Sequence, residues 1–149
     1  MKTIIGLGNP EEKYKNNRHN VGFMFVDFLE DDFRKFKSDK FMNNSGEFVV
    51  QKIRYSNLEL EDLYIAHDDL DIPLGEYKIT KKSPKGHNGI LSIDQYLDPE
   101  DYWKIRIGID NRDPENRTTG DKYVLSDFSN EEKKVLEEVF EKIKKELNG

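Results

Sequence analysis

The sequence predicts a single α/β domain, a three-layer sandwich around a mixed, mostly parallel, twisted sheet. Three observations predict it. Segments of strand length alternate with segments of helical periodicity along the whole chain, as repeated strand–helix units require. Trp103, Ile105, Ile107 and Ile109 alternate with Lys104, Arg106 and Gly108, the mark of a half-buried strand. The chain has 149 residues, close to the commonest domain size, so one core and one domain over 1–149 are expected.

Lys2 to Leu7 read as a first buried strand, ended by Gly8-Asn9-Pro10, where Pro10 lacks a donor and fixes its own φ. Val21, Met24, Phe25, Phe28, Leu29, Phe33 and Phe36 recur at helical spacing and predict an amphipathic helix over 20–36, its aromatic stripe turned to the core. A short second helix is expected near Asn44-Ser45-Gly46-Glu47, with Asn44 as cap and Glu47 reaching back. Asp62 to Ala66 predict a strand ending at His67, and Pro73-Leu74-Gly75 a turn into a strand over 76–81. Ile90, Ile93 and Leu97 predict a helix after Gly86-His87-Asn88-Gly89. The polar stretch 110–121, with Pro114 and Gly120, reads as a mobile loop. Ser129-x-x-Glu132 is a capping box for a last helix whose apolar face is Val135, Val139, Phe140, Ile143 and Leu147.

Composition narrows the function. Charged residues make up 36% and hydrophobic ones 35%, yet 9 Phe, 7 Tyr and one Trp supply bulky core material, so disorder is expected only in loops. No apolar run approaches the roughly 20 residues that span a bilayer. No basic region followed by an apolar stretch marks a signal peptide. Cysteine is absent, which excludes disulfides and thiolate metal sites and agrees with a cytoplasmic protein. A net charge of −6 argues against a broad polyanion-binding surface but leaves room for a compact, locally basic cleft. Nothing indicates an obligate protein partner or membrane contact, and a monomer is expected.

The chain has only three histidines, each beside an Asn or Asp: His19-Asn20, His67-Asp68 and His87-Asn88. His19 falls at the predicted start of the first helix, where the positive dipole end keeps an imidazole neutral and available as a base toward water. A polar or capping histidine is the other reading. Asp68 follows a strand end and can fix an imidazole tautomer and stabilise its protonated form. Asp69 and Asp71 leave open a carboxylate site for a hard cation. If the strand continues, His67 points away from its neighbour and is structural. Asn9, Asn43 and Asn88 stand in turn-like settings, and converging amides can grip a carbonyl without adding charge. Each alone is equally a turn or cap residue. Gly6-Leu7-Gly8 is no dinucleotide fingerprint, since Glu11 replaces the third glycine, and neither a Walker A lysine nor a G-x-S-x-G elbow occurs. The pattern therefore points to hydrolysis by water, without a covalent serine or cysteine intermediate.

These residues resemble the bacterial-type peptidyl-tRNA hydrolase family. The matching segments are Gly6-Leu7-Gly8-Asn9-Pro10, Tyr14, Arg18-His19-Asn20-Val21-Gly22-Phe23, Phe41-Met42-Asn43, Ser45-Gly46 and His67-Asp68-Asp69-Leu70-Asp71-Ile72-Pro73, then Gly75, Gly86-His87-Asn88-Gly89 and Arg106-Ile107-Gly108-Ile109. The resemblance implies hydrolysis of the ester joining peptide to the 3′ end of tRNA, recycling tRNA during translation, with no metal and no cofactor. Peptidyl-tRNA is then the partner. By position, His19 is the general base, Asp68 stabilises it, and Asn9 tells blocked from free aminoacyl ends. Tyr14, Phe41, Asn43 and Asn88 contact the tRNA end and peptide, while Lys78 and Arg106 hold a tRNA phosphate.

Between the first helix and Phe41 the chain is shorter than the family pattern by roughly two strands' length, so a sheet reduced relative to the family is expected. The glycine run before His87 is replaced by Lys82-Ser83-Pro84-Lys85, which stiffens that loop. Such departures keep a second reading open, a non-catalytic RNA- or ribonucleoprotein-binding relative on the same fold. Geometry separates the two. Catalysis requires His19 within hydrogen-bond reach of Asp68, with Asn9, Asn43 and Asn88 facing one cleft.

Overall fold

A computed structural model of the chain describes residues 1–30 and 33–149. Its five strands are β1 (Thr3–Gly6), β2 (Arg34–Lys37), β3 (Leu63–Pro73), β4 (Tyr77–Thr80) and β5 (Trp103–Asp110). They form one sheet in the order β2-β1-β3-β5-β4, parallel except for β4 against β5. The helices are α1 (Val21–Phe28), α2 (Ser45–Ser56), α3 (Asn88–Asp94), α4 (Gly120–Tyr123) and α5 (Asn130–Asn148). Strand alternation sorts the core into two layers. Ile4, Ala66, Ile105 and Ile107 pack with Phe25 of α1 and Val139, Phe140 and Ile143 of α5. On the opposite face Ile5, Leu63 and Ile65 pack with Phe48 and Val49 of α2 and Ile90 and Ile93 of α3. Among the described residues no helix is long and apolar enough to cross a membrane.

Several boundaries depart from the sequence expectation. The helix expected over 20–36 ends at Phe28, and Leu29 is already extended. The middle of that span, Asp31 and Asp32, lies outside the described residues. Beyond it, Arg34–Lys37 pair in parallel with Thr3–Gly6. Phe33 buries on the α1 side, whereas Phe36 packs on the α2 side. Phenylalanines three residues apart suit a helix or, as here, opposite faces of a sheet, and the unpaired edge of β1 decides. The second helix runs 12 residues, and the Asn44 side chain makes no cap. A 3-10 turn over Met42–Asn44 leads into it, with the Ser45 hydroxyl donating to the Met42 carbonyl at 2.8 Å. β3 does not stop at His67 but continues to Pro73 alongside β5. In the last helix the capping box forms both bonds, and Leu136 rather than Val135 takes a fully buried position.

Topology places a crevice at one point. From β1 the chain turns to β2 through α1 on one face, then returns to β3 through α2 on the other. β1 and β3 are therefore the pair at which the connections diverge, where open α/β sheets leave a crevice beyond the strand ends. β1 ends at Gly6 opposite Ala66, while β3 runs on past it. α1 lies against this step because its second residue lacks a side chain. A Cβ on Gly22 would stand 2.3 Å from the Ala66 carbonyl oxygen.

The turn before α1 is held from the far end of the chain. Arg18, nearly buried, donates from Nη2 to both carboxylate oxygens of Glu132 at 2.8 and 3.0 Å, and from Nη1 to Ser126 Oγ and the Asp127 carbonyl. Glu132 also accepts from the Ser129 N–H of the capping box and from Asn111. Removing one partner of such a pair leaves an uncompensated buried charge. Glu132→Ala is expected to lower unfolding stability by about 3–5 kcal/mol in denaturant titration. A loss below about 1 kcal/mol would place the pair with exposed surface bridges instead.

Candidate active site

Asp68 lies on β3 two residues beyond the end of β1, opposite Ile107, and its side chain is buried. Both carboxylate oxygens are engaged. Oδ2 is 2.8 Å from His19 Nδ1 and Oδ1 is 2.9 Å from His87 Nε2. The surroundings fix the tautomers. His87 Nδ1 accepts the backbone N–H of Ile90 at 3.2 Å, capping α3, so its proton is on Nε2 and points at Asp68. A carboxylate can only accept, so His19 likewise donates from Nδ1, which leaves its Nε2 lone pair as the basic atom.

The charges follow from this arrangement. Burial drives the Asp68 pKa upward, but the two imidazoles outweigh it and hold the carboxyl well below the usual range. Burial also disfavours protonated His19, yet the charge and hydrogen bond of Asp68 prevail and raise its pKa above the ordinary imidazole value. His67 is a third imidazole, fully buried, donating from Nδ1 to the Asp68 carbonyl at 2.8 Å with its ring 4.7 Å from that of His87. Burial and the neighbouring His87 push its pKa down to about 3, so it is neutral and structural, as strand continuation anticipated.

Backbone contacts fix His19 in turn. It sits in the 3-10 turn Arg18–Asn20, and its N–H donates to the Val124 carbonyl at 2.8 Å. Its neighbour Asn20 clamps Asn9 twice, accepting from the Asn9 N–H at 2.8 Å and donating to the Asn9 carbonyl at 2.9 Å. Asn9 Oδ1 accepts the Met42 N–H at 3.1 Å, so its amide nitrogen is left to donate.

Two adjoining cavities, of about 320 and 340 Å³, share His19, Asn88, Asp121 and Val124 as their common wall. One adds Asn9, Phe41, Met42, Asn43 and Leu125, which brings the three amides, His19 and exposed Phe41 to one cleft. The other adds Asp68, Asp69, Asp71, Lys85 and His87. Tyr14 lines neither, and Lys13 lies 5.0 Å over its ring. Lys78 and Arg106 face each other across β4 and β5, where Arg106 Nε donates to Asp69 Oδ2 at 2.7 Å. That ion pair, with the Asp71 N–H on Asp69 Oδ1, occupies the carboxylate read as a cation ligand.

Among the described residues, the one group with metal-ligand spacing is His19, Asp68 and His87. Two N–H protons already fill the space between those atoms. Sequence reasoning missed His87 and Asn20. Both stand in the quoted motifs, but only folding reveals that one completes Asp68 and the other holds Asn9.

Titration checks this network. In histidine NMR, His19 is expected to titrate above the ordinary imidazole value and to drop in Asp68→Asn, while His67 stays neutral down to about pH 3. Linkage gives the signs. Asp68 and His67 contribute stability that is present above their ordinary values and lost as pH falls below them, whereas the contribution of His19 fades as pH rises through its raised pKa. An unshifted His19 in Asp68→Asn would break the assignment.

A family model described as peptidyl-tRNA hydrolase matches residues 3–40 and 30–149 of the chain. A peptidyl-tRNA hydrolase of Staphylococcus saprophyticus is 37% identical over 165 residues, covering 95% of this chain and 86% of that protein. One from Fervidobacterium nodosum is 43% identical over 149 residues, covering 91% and 81%. The crystal structure of peptidyl-tRNA hydrolase from Acinetobacter baumannii superposes with a TM-score of 0.80 at 27% identity, covering 95% of this chain and 83% of that one.

Proposed function

The chain belongs to the peptidyl-tRNA hydrolase family, and we propose that His19, Asp68 and Asn9 carry its reaction. It hydrolyses the ester of peptidyl-tRNA and so releases the tRNA. The observation that carries the proposed roles is a histidine whose Nδ1–H is held by a buried carboxylate while Nε2 is left as the basic atom in a cleft of three amides.

In this reading His19 Nε2 removes a proton from water as the oxygen attacks the ester carbonyl carbon. The Asp68 carboxylate balances the imidazolium, and the free amide N–H of Asn9 faces the substrate acyl group. Collapse of the tetrahedral intermediate returns the proton from His19 to the departing 3′-oxygen, so base and acid are one residue. Asn43, Asn88 and Phe41 orient the peptide and terminal nucleotide. Tyr14, outside both cavities, contacts a more distant part of the substrate. His87 keeps Asp68 ionised and in place. The reaction needs no metal or cofactor, and the enzyme acts as a cytoplasmic monomer.

Lys78 and Arg106 form the proposed tRNA phosphate contact, since their side chains share one face of the sheet beside Asp69. Arg106 keeps its terminal nitrogens for a phosphate but cannot be charge-reversed cleanly, because a carboxylate there would face Asp69. Lys78 is the better probe. These two phosphate contacts contribute roughly −1.4 to −1.8 to the salt slope, and Lys78→Ala is expected to lessen it by about 0.7–0.9.

Peptide release from purified peptidyl-tRNA tests the mechanism. His19→Ala is expected to slow it by about 10²–10⁴, and a chelator is expected to leave the wild-type rate unchanged. Normal turnover by His19→Ala would remove His19 as the base, and loss of activity on chelation would restore the metal reading.

A further inference from the structure

Resting on the reading above, we propose that Lys85 is a substrate-positioning residue, gripping the phosphate on the 5′ side of the terminal nucleotide of the tRNA. The two cavities beside His19 take different parts of the substrate. The cavity with Asn9, Asn43, Phe41 and Leu125 offers amides and apolar walls, which suit a peptide. The other leads through Asp69 to Arg106 and its cross-strand neighbour Lys78, so the nucleic acid arrives from that side.

That nucleotide-side cavity is poorly suited to an anion in every other respect. Its lining carries four carboxylates, Asp68, Asp69, Asp71 and Asp121, and Lys85 is the one lysine or arginine in it. Asp68 is answered by its two imidazoles and Asp69 by Arg106, but Asp71 and Asp121 stand at the rim. A phosphate entering there needs a cation on the opposite wall. Lys85 is exposed, and no carboxylate lies within 4 Å of it among the described residues.

The loop that carries Lys85 is fastened rather than left to swing. Buried Lys104 donates from Nζ to the Lys81 carbonyl at 2.8 Å, and Ser83 Oγ donates to Asp94 at 3.2 Å. Pro84 fixes its own φ, and Gly86 takes the left-handed region at φ 72°. His87, two residues on, is tied to Asp68 and to Ile90. The Lys85 backbone is thus held on both sides, to β5 and α3 before it and through His87 to Asp68 after it, and it carries a flexible four-carbon stem. An ester bond beside His19 Nε2 places the nearest phosphate only one ribose away, in the cavity whose lining Lys85 shares with His19.

Lys85→Ala and Lys85→Arg test this, because the exposed side chain can be replaced without disturbing the core. On peptidyl-tRNA, Lys85→Ala is expected to raise KM roughly three- to tenfold with kcat little changed, and to lessen the salt slope by about 0.7. Lys85→Arg restores both. Hydrolysis of a peptidyl ester of adenosine, which lacks the phosphate, is expected to be the same in all three proteins. Binding of the trinucleotide CCA with a free 3′ end, read by fluorescence titration without turnover, should weaken in Lys85→Ala by the same factor as KM. Equal losses on tRNA and adenosine esters, or unchanged CCA binding, overturn the proposal. Wild-type protein that cleaves neither ester would overturn the parent reading alone, since the binding comparison is independent of it.

Discussion

A single buried carboxylate organises this site. Asp68 is placed on β3 just past the point where β1 stops, and a bare charge there would carry a cost of several kcal/mol. Two imidazole N–H groups offset that cost, one on each oxygen, and each bond has a consequence elsewhere. Toward His19 it fixes the tautomer and makes Nε2 the basic atom. Toward His87 it ties the β4–α3 loop to the sheet, because the other nitrogen of the same ring caps α3. Base strength, loop position and helix capping are therefore linked through one side chain.

The rest of the chain holds the partners of Asp68 at hydrogen-bond distance. Gly22 lets α1 approach the Ala66 carbonyl more closely than any side chain would permit, which brings the preceding turn over the end of β1. Arg18 anchors that turn to α5 through Glu132, and the backbone of His19 is bound to Val124. Asn20 joins the same turn to Asn9. His19 and Asn9 are consequently borne on one rigid unit, and neither depends on a free loop.

Electrostatics reconcile an acidic protein with an anionic substrate. Most of the 30 acidic residues lie away from the cleft, and of the four carboxylates in the cavity beside Asp68 the two buried ones are neutralised. Asp68 faces two histidines and Asp69 faces Arg106. Among the described residues, Lys85 is the one lysine or arginine that lines the two cavities. A net charge of −6 supplies no long-range attraction for an anionic substrate, and the acidic remainder of the surface disfavours indiscriminate binding of nucleic acid.

The ordered motifs already determined the family and the α/β class and singled out His19 and Asp68, which the fold brings to 2.8 Å of each other, because local chemistry is written in short segments: a turn at Gly8-Asn9-Pro10, a capping box at Ser129, alternation over 103–109. Distances between segments are not written there. Phe33 and Phe36 read as helix because their spacing satisfies both periodicities, and only pairing with β1 made Arg34–Lys37 a strand. The sequence expectation ends this strand at His67, yet His67-Asp68-Asp69 continue the sheet, the two aspartates answered by partners from three other segments. The same holds for His87 and Asn20. Their roles depend on groups 19 and 11 residues away in sequence, and tertiary structure alone could bring those donors and acceptors together.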